Sequence, residues 1–121
     1  MILPTLEKGK ALIITGPAGC GKTRLALELA QEHGTVRQTG PSIFRRLSSL
    51  SIKDLARGAD VLIIDGLPED PDTKDEALIM LKGALTTQGA PMIIFTDYTA
   101  GPEYRRSRRF VVYDMKPRGA K

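Results

Sequence analysis

Cysteine and histidine occur once each in this 121-residue chain, at Cys20 and His33. A lone cysteine forms no internal disulfide, and the pair cannot furnish a Cys- or His-rich zinc centre, so any metal must be held by oxygen ligands. Long apolar runs are missing as well. Nothing approaches the roughly 18 to 20 uncharged apolar residues of a membrane span, and Met1 to Lys10 has neither the apolar stretch nor the small-residue cleavage site of a signal peptide. The expectation is a cytoplasmic protein with no membrane partner. Internal repeats and linkers are also lacking. With 41% hydrophobic and 26% charged residues, the chain suits one globular domain over residues 1–121, with a core over about 10–115.

What is present is segregated. The net charge of +4 divides into a basic stretch (residues 1–60), an acidic one (61–100) and a basic one (101–121). The arginines of the last stretch fit either a nucleic-acid partner, DNA or RNA, or a solvated basic face.

Three unbroken apolar runs, Ala11 to Thr15, Val61 to Ile64 and Met92 to Thr96, are bounded by turn residues. Continuous rather than alternating runs suit strands covered on both faces, as in a parallel sheet between helices. Helical spacing appears over Lys22 to His33, through Leu25, Ala26, Leu29 and Ala30, with Gly34 as the stop. It recurs over Thr73 to Thr86 behind an acidic first turn, and a short helix over Ser51 to Arg57 is expected with Ser51 as N-cap. Thr35 to Thr39 suits a polar edge strand, Pro41 to Leu50 a loop or helix, and Phe110 to Met115 a final strand. Strands alternating with helices give an α/β domain with a mostly parallel, roughly five-stranded sheet in a three-layer sandwich.

Between the first strand and the first helix lies Gly16-Pro17-Ala18-Gly19-Cys20-Gly21-Lys22-Thr23, which matches G-x-x-x-x-G-K-[ST] in the strand–loop–helix context the pattern requires. Glycines let the backbone curl so that its N–H groups and the helix N-terminus face a polyphosphate. Lys22 supplies a cation for β- and γ-phosphates, and the Thr23 hydroxyl is a ligand for Mg²⁺. The expected cofactors are ATP and Mg²⁺. The expected nucleotide-binding residues are Gly16, Pro17, Ala18, Gly19, Cys20, Gly21, Lys22, Thr23 and Arg24. A second signal is Val61-Leu62-Ile63-Ile64-Asp65, a buried strand ending in a carboxylate at the sheet edge that faces the nucleotide in such folds; Asp65 is the second metal residue.

Lys22-Thr23 with Asp65 resembles the Walker A and Walker B pair of P-loop NTPases. The strand ending in Thr96-Asp97 resembles the sensor strand of AAA+ ATPases and superfamily 3 helicases, and Arg105-Arg106-Ser107-Arg108-Arg109 before Phe110 resembles the late segment where those cores carry an arginine. The resemblance implies a compact P-loop core acting as a homo-oligomeric ring on nucleic acid or a partner protein, and the helical lid of AAA+ proteins, not expected in this chain, is a departure from it. It also implies catalytic roles for Lys22, Asp65, Thr96, Asp97, Arg108 and Arg109. One departure is Gly66, which stands where such ATPases place a second acid, the base for the attacking water. Glu69 is the candidate to replace it, with Asp70 beside it, against the plain reading of a solvated acidic loop.

Three readings of the arginines stand: a solvated face, a finger reaching a neighbouring subunit, and phosphate contacts to nucleic acid. His33 suits a helix C-terminus, and Cys20 a thiol open to alkylation. Besides the ATPase, two functions compete. One is a non-hydrolysing nucleotide-binding module, which Gly66 favours. The other is a nucleotide kinase, because Asp65-Gly66-Leu67-Pro68 resembles the Asp-Gly-x-Pro turn of adenylate kinases.

Overall fold

The computed structural model describes residues 5–7, 9–17, 19–40, 42, 52–66, 79–86, 90–97 and 102–115. Along the chain run β1 (Ala11–Thr15), α1 (Lys22–Gln31), β2 (Val36–Thr39), α2 (Ile52–Ala56), β3 (Val61–Asp65), the helical residues 79–85 (α3), β4 (Met92–Asp97), α4 (Pro102–Arg106) and β5 (Phe110–Asp114). The five strands form one sheet in the order β2-β3-β4-β1-β5, and every pairing is parallel. Every strand therefore ends at the same edge.

The apolar runs fill the middle of the sheet. All five residues of β1 and the first four of β3 are buried, as are Ile93, Ile94, Phe95 and Thr96 of β4. Successive strand residues point to opposite faces, and two cores result. On one face Leu12, Ile14, Val61, Ile63 and Ile94 pack with Ala26, Leu29 and Ala30 of α1. On the other, Ile13, Leu62, Ile64, Ile93 and Phe95 pack with Leu55 of α2, Leu81 and Leu85 of α3, and Tyr104 of α4. This is the expected three-layer α/β sandwich. Truncating Ile13 to alanine in such a core costs about 2–5 kcal/mol.

Several boundaries shift. Helix α1 stops at Gln31, so His33 falls in the following turn, where its N–H donates to Ala30 O (2.9 Å). Asp65 and Asp97 close their strands as expected, whereas β5 ends at Asp114, one residue short of Met115. The short helix falls where expected, although Ser51 lies outside the described residues, as do Pro41, Ile43 to Leu50 and the start of the third helix.

The sequence pattern does not predict helix α4. It is anchored by Tyr104, only 1% exposed, whose ring meets those of Phe95 and Phe110 edge-on at centroid distances of 6.3 and 5.3 Å. These contacts, worth about 0.5–1.5 kcal/mol per ring pair beyond burial, split the arginine cluster. Arg105 and Arg106 end the helix, whereas Arg108 and Arg109 form the turn before β5. No helix among the described residues is long and apolar enough to cross a membrane.

Candidate functional site

Strand alternation decides which polar residues meet. Val61 and Ile63 face α1, so Asp65, two residues on, faces it too. Ile94 does the same for Thr96, and Val36 for Gln38. Asp65 and Thr96 are also register partners across β3 and β4. Thr23 lies in the first turn of α1 above them. Its Oγ1 donates to Asp65 Oδ1 at 3.1 Å, and Thr96 Oγ1 donates to the same oxygen at 3.3 Å. The other carboxylate oxygen accepts from Gln38 Nε2. Groups far apart in sequence thus converge on one half-buried carboxylate.

The loop feeding α1 is built around two glycines. Gly21 is the N-cap of α1 with φ 95°, a left-handed conformation that strains any residue with a Cβ. Gly16 allows close approach: a Cβ there would lie 2.7 Å from Cys20 Sγ and 3.1 Å from the Met115 carbonyl oxygen. The Gly16 N–H donates to Asp97 O (3.2 Å), and Met115 N donates to Thr15 O (2.7 Å), which fixes the loop root between β4 and β5. Lys22 Nζ donates to Gly16 O and to Pro17 O (3.2 Å), bridging the loop's first residues.

Electrostatically the start of α1 breaks a local rule. It has no side-chain cap and no acid in its first turn, and Lys22 occupies its first helical position. A cation at the positive end of a helix dipole is unfavourable by itself and becomes favourable where an anion joins it.

The donors beside this loop are a hydroxyl and a carboxylate. Among the described residues no three His, Cys, Asp or Glu side chains converge as an all-protein metal cage. Hard oxygen donors, one of them charged, suit a Mg²⁺ that keeps waters and takes further oxygens from a phosphate, so Thr23 and Asp65 fit that ion.

A second polar cluster sits at the loop root. Thr15 Oγ1 donates to Asp114 Oδ1 (2.5 Å), and the Arg105 guanidinium grips both Asp114 oxygens at 2.8 and 3.0 Å. The hydrogen bond from Arg105, followed by that from Thr15, holds the Asp114 carboxyl below the usual carboxylate range, and Asp114 in turn raises the Arg105 value. Arg105 is therefore engaged within its own chain.

The remaining expected residues disperse. By alternation Asp97 faces away from α1, on the side of Ile93 and Phe95. Arg24 is exposed and ion-paired with Glu28 (3.4 Å) on α1. Arg108 and Arg109 are exposed at the opposite edge of the sheet, where Arg109 O accepts from Ala11 N (2.8 Å) at the start of β1. Five strand residues, about 16 Å at about 3.3 Å each, separate them from the loop. Ala18, Glu69 and Asp70 lie outside the described residues. Sequence reasoning missed Gln38 and the Thr15–Asp114–Arg105 cluster; Gln38, Thr15 and Asp114 are polar side chains near strand ends, in phase with the face they serve, and Arg105 joins from the last turn of α4.

The parallel sheet, the glycine loop and the carboxylate opposite it define a P-loop NTPase of helicase-like type. A family model described as RNA helicase matches residues 12–98, and the chain belongs to that family. The match contains the loop, Asp65 and Thr96, and ends before the arginine segment. Over 63 residues, 52% of its length, the chain is 38% identical to the genome polyprotein of Canine calicivirus (strain 48), of which it spans 3%. A crystal structure of a DNA replication initiation factor aligns over 88% of this chain and 40% of that one, at 16% identity and a TM-score of 0.44.

Proposed function

We propose that the chain binds Mg·ATP at residues 16–24 and hydrolyses it as the motor core of a homo-oligomer acting on DNA or RNA. The observation that carries this reading is the meeting of Thr23 with Asp65, because a hydroxyl and a carboxylate 42 positions apart are brought to 3.1 Å beside a phosphate-type loop. In this proposal loop N–H groups and Lys22 hold the β- and γ-phosphates. Thr23 and Asp65 hold Mg²⁺, which when bound neutralises charge developing on the phosphates. Gln38 and Thr96 keep the Asp65 carboxylate oriented, and Thr96 offers its hydroxyl on the same face. Arg108 and Arg109, too far from the loop of their own chain, act on that of a neighbour in a ring. The base for the attacking water is Glu69.

Gly66 after Asp65 favours a second reading, in which the nucleotide is bound but not turned over and serves as assembly glue. A coupled ATPase assay on the purified chain separates the two. The first reading expects Mg²⁺-dependent turnover that rises with protein concentration and with added DNA or RNA. Tight ATP binding without turnover under any of these conditions favours the second. Phosphate transfer to an added nucleoside monophosphate would instead indicate a kinase.

A further inference from the structure

Among the described strands β2 ends the sheet on one side, paired with β3 alone. Val61 N donates to Thr35 O at 3.1 Å, and Val36 lies opposite Val61 in the register. In a parallel ladder successive residues of a strand turn their backbone groups to alternate sides. Thr35, Arg37 and Thr39 therefore bond toward β3, whereas the N–H and C=O groups of Val36 and Gln38 point out of the sheet edge. Outward groups at two-residue spacing are the template on which an extended segment adds as a further strand.

Beside that edge lies a cavity of about 530 Å³, lined by residues 35–38 on one side and by the end of α2 and the turn after it, residues 56–59, on the other. Two arginines line it. Arg37 is half-buried on the α2 face of the sheet, opposite Leu62, which packs with Leu55. Its Nε is buried with no hydrogen-bond partner among the described residues, a cost that an acceptor entering the cavity relieves once the guanidinium turns to meet it. Arg57 is exposed and has φ 51°, where a helix end normally places glycine; among the described residues no other side chain is held in that left-handed region. Neither arginine pairs with a carboxylate among the described residues. Nearby Asp60 is engaged by Thr35, whose N–H and hydroxyl donate to its Oδ2 at 2.9 and 3.1 Å.

Charge selects the occupant. A second copy pairing β2 with β2 about a two-fold axis at Arg37 would set like charges opposite one another, which is unfavourable. A nucleic-acid strand offers phosphates to the arginines but no peptide ladder to Val36 and Gln38. An extended peptide with an acidic residue satisfies both. We infer that β2 takes up an extended acidic segment of a partner protein, which pairs with Val36 and Gln38 and seats a carboxylate in the cavity lined by Arg37 and Arg57. The inference stands independently of the nucleotide assignment.

The test is a nuclear magnetic resonance titration of the ¹⁵N-labelled full chain with the blocked peptide acetyl-Thr-Val-Glu-Val-Thr-amide, whose β-branched residues favour an extended strand. The amide signals of Val36, Gln38 and Gly58 should move and saturate. A peptide with Gln in place of Glu should bind about tenfold more weakly, as befits loss of a charge-assisted hydrogen bond, and one N-methylated at alternate amides should not bind. Arg37→Gln and Arg57→Gly should each weaken the Glu peptide about tenfold and abolish its advantage over the Gln peptide. Arg57→Gly should melt no lower than the parent, because glycine suits that backbone, so its loss of binding is not a loss of fold. Absence of shifts along β2 overturns the inference, as does equal affinity for the Glu and Gln peptides. If an oligouridylate moves these signals and the peptide does not, the edge is a nucleic-acid contact instead. Shifts of Val36 and Gln38 that grow with protein concentration alone and block the peptide would assign the edge to a second copy and overturn it too.

Discussion

At the C-terminal ends of the strands, Thr15, Asp65, Thr96 and Asp114 are in contact with Thr23, Gln38 and Arg105, each pairing joining different elements. At the N-terminal ends, Arg108 and Arg109 stand exposed, tied to the fold mainly by the Arg109 backbone and a 3.5 Å contact to Gly9 O. A parallel sheet makes this asymmetry unavoidable. All strands deliver their last residues to one edge, so side chains from distant parts of the sequence can converge there. Preorganised chemistry belongs at that edge; Arg108 and Arg109 at the other edge are exposed and distant from it.

The largest effect that would sharpen this contrast comes from the exposed edge. On the proposed ring ATPase reading, replacing Arg108 and Arg109 together by alanine should lower turnover by about 10³-fold, the low end for an arginine supplied to a phosphoryl-transfer site. ATP affinity of the isolated chain should stay unchanged in calorimetry. Mixing that variant with Lys22→Ala chains should restore part of the activity, since each supplies what the other lacks. If turnover is normal and independent of protein concentration, the exposed edge has no role in catalysis, and a salt-sensitive loss of DNA binding would assign it to phosphate contacts instead.

At the converging edge, Lys22→Ala should weaken ATP binding by about 10²-fold through loss of charge-assisted bonds, with the fold kept because Lys22 packs in neither core. Equal calorimetric affinities for variant and parent would break the comparison. A step smaller, Asp65→Asn should cut Mg²⁺-dependent turnover by about tenfold or more, because a neutral amide is a weaker ligand for a hard cation. Gln38→Ala should reduce it only a few-fold, with a raised Mg²⁺ requirement, since Gln38 touches the carboxylate alone. Identical Mg²⁺ titrations for Gln38→Ala and the parent would remove Gln38 from the site.

The smallest effect concerns the loop root. Asp114 has a depressed folded-state value, so its contribution to stability is present above the unfolded value of about 3.9 and is lost as pH falls through the folded one. Asp114→Asn should therefore melt only about one or two degrees lower than the parent at pH 7, as an exposed pair is worth little. That gap should close as the pH falls below about 4. A gap that persists at pH 2 would show that shape, not charge, is what Asp114 contributes.

Much of the fold is legible because its signals are local. Buried parallel strands need unbroken apolar runs, and ALIIT, VLII and MIIFT supply them; the loop motif carries its own physics in glycines whose conformations few other residues adopt. The site is legible in parts. Thr23 and Asp65 are expected together, and the structure brings them together. The motif reading groups Asp97 with Thr96, yet neighbours on a strand face opposite sides, so only one can meet Asp65. The arginines read as one cluster in sequence, but the Phe95 and Phe110 rings that seat Tyr104 place Arg105 on Asp114 and leave Arg108 and Arg109 at the far edge. Packing of that kind joins residues from β4, α4 and β5, and no window of sequence contains it.

Short segments are enough to dictate a covered parallel sheet with an anion-seeking loop after its first strand, since burial pattern and glycine placement are local properties of the chain. The strand order is a matter of tertiary packing. It places β4 between β1 and β3, brings Gln38 to Asp65, and leaves β2 at the edge with a cavity beside the end of α2. Which strand lies beside which follows from how all the layers pack at once, because the hydrogen-bonding groups of a strand are alike whatever their neighbour.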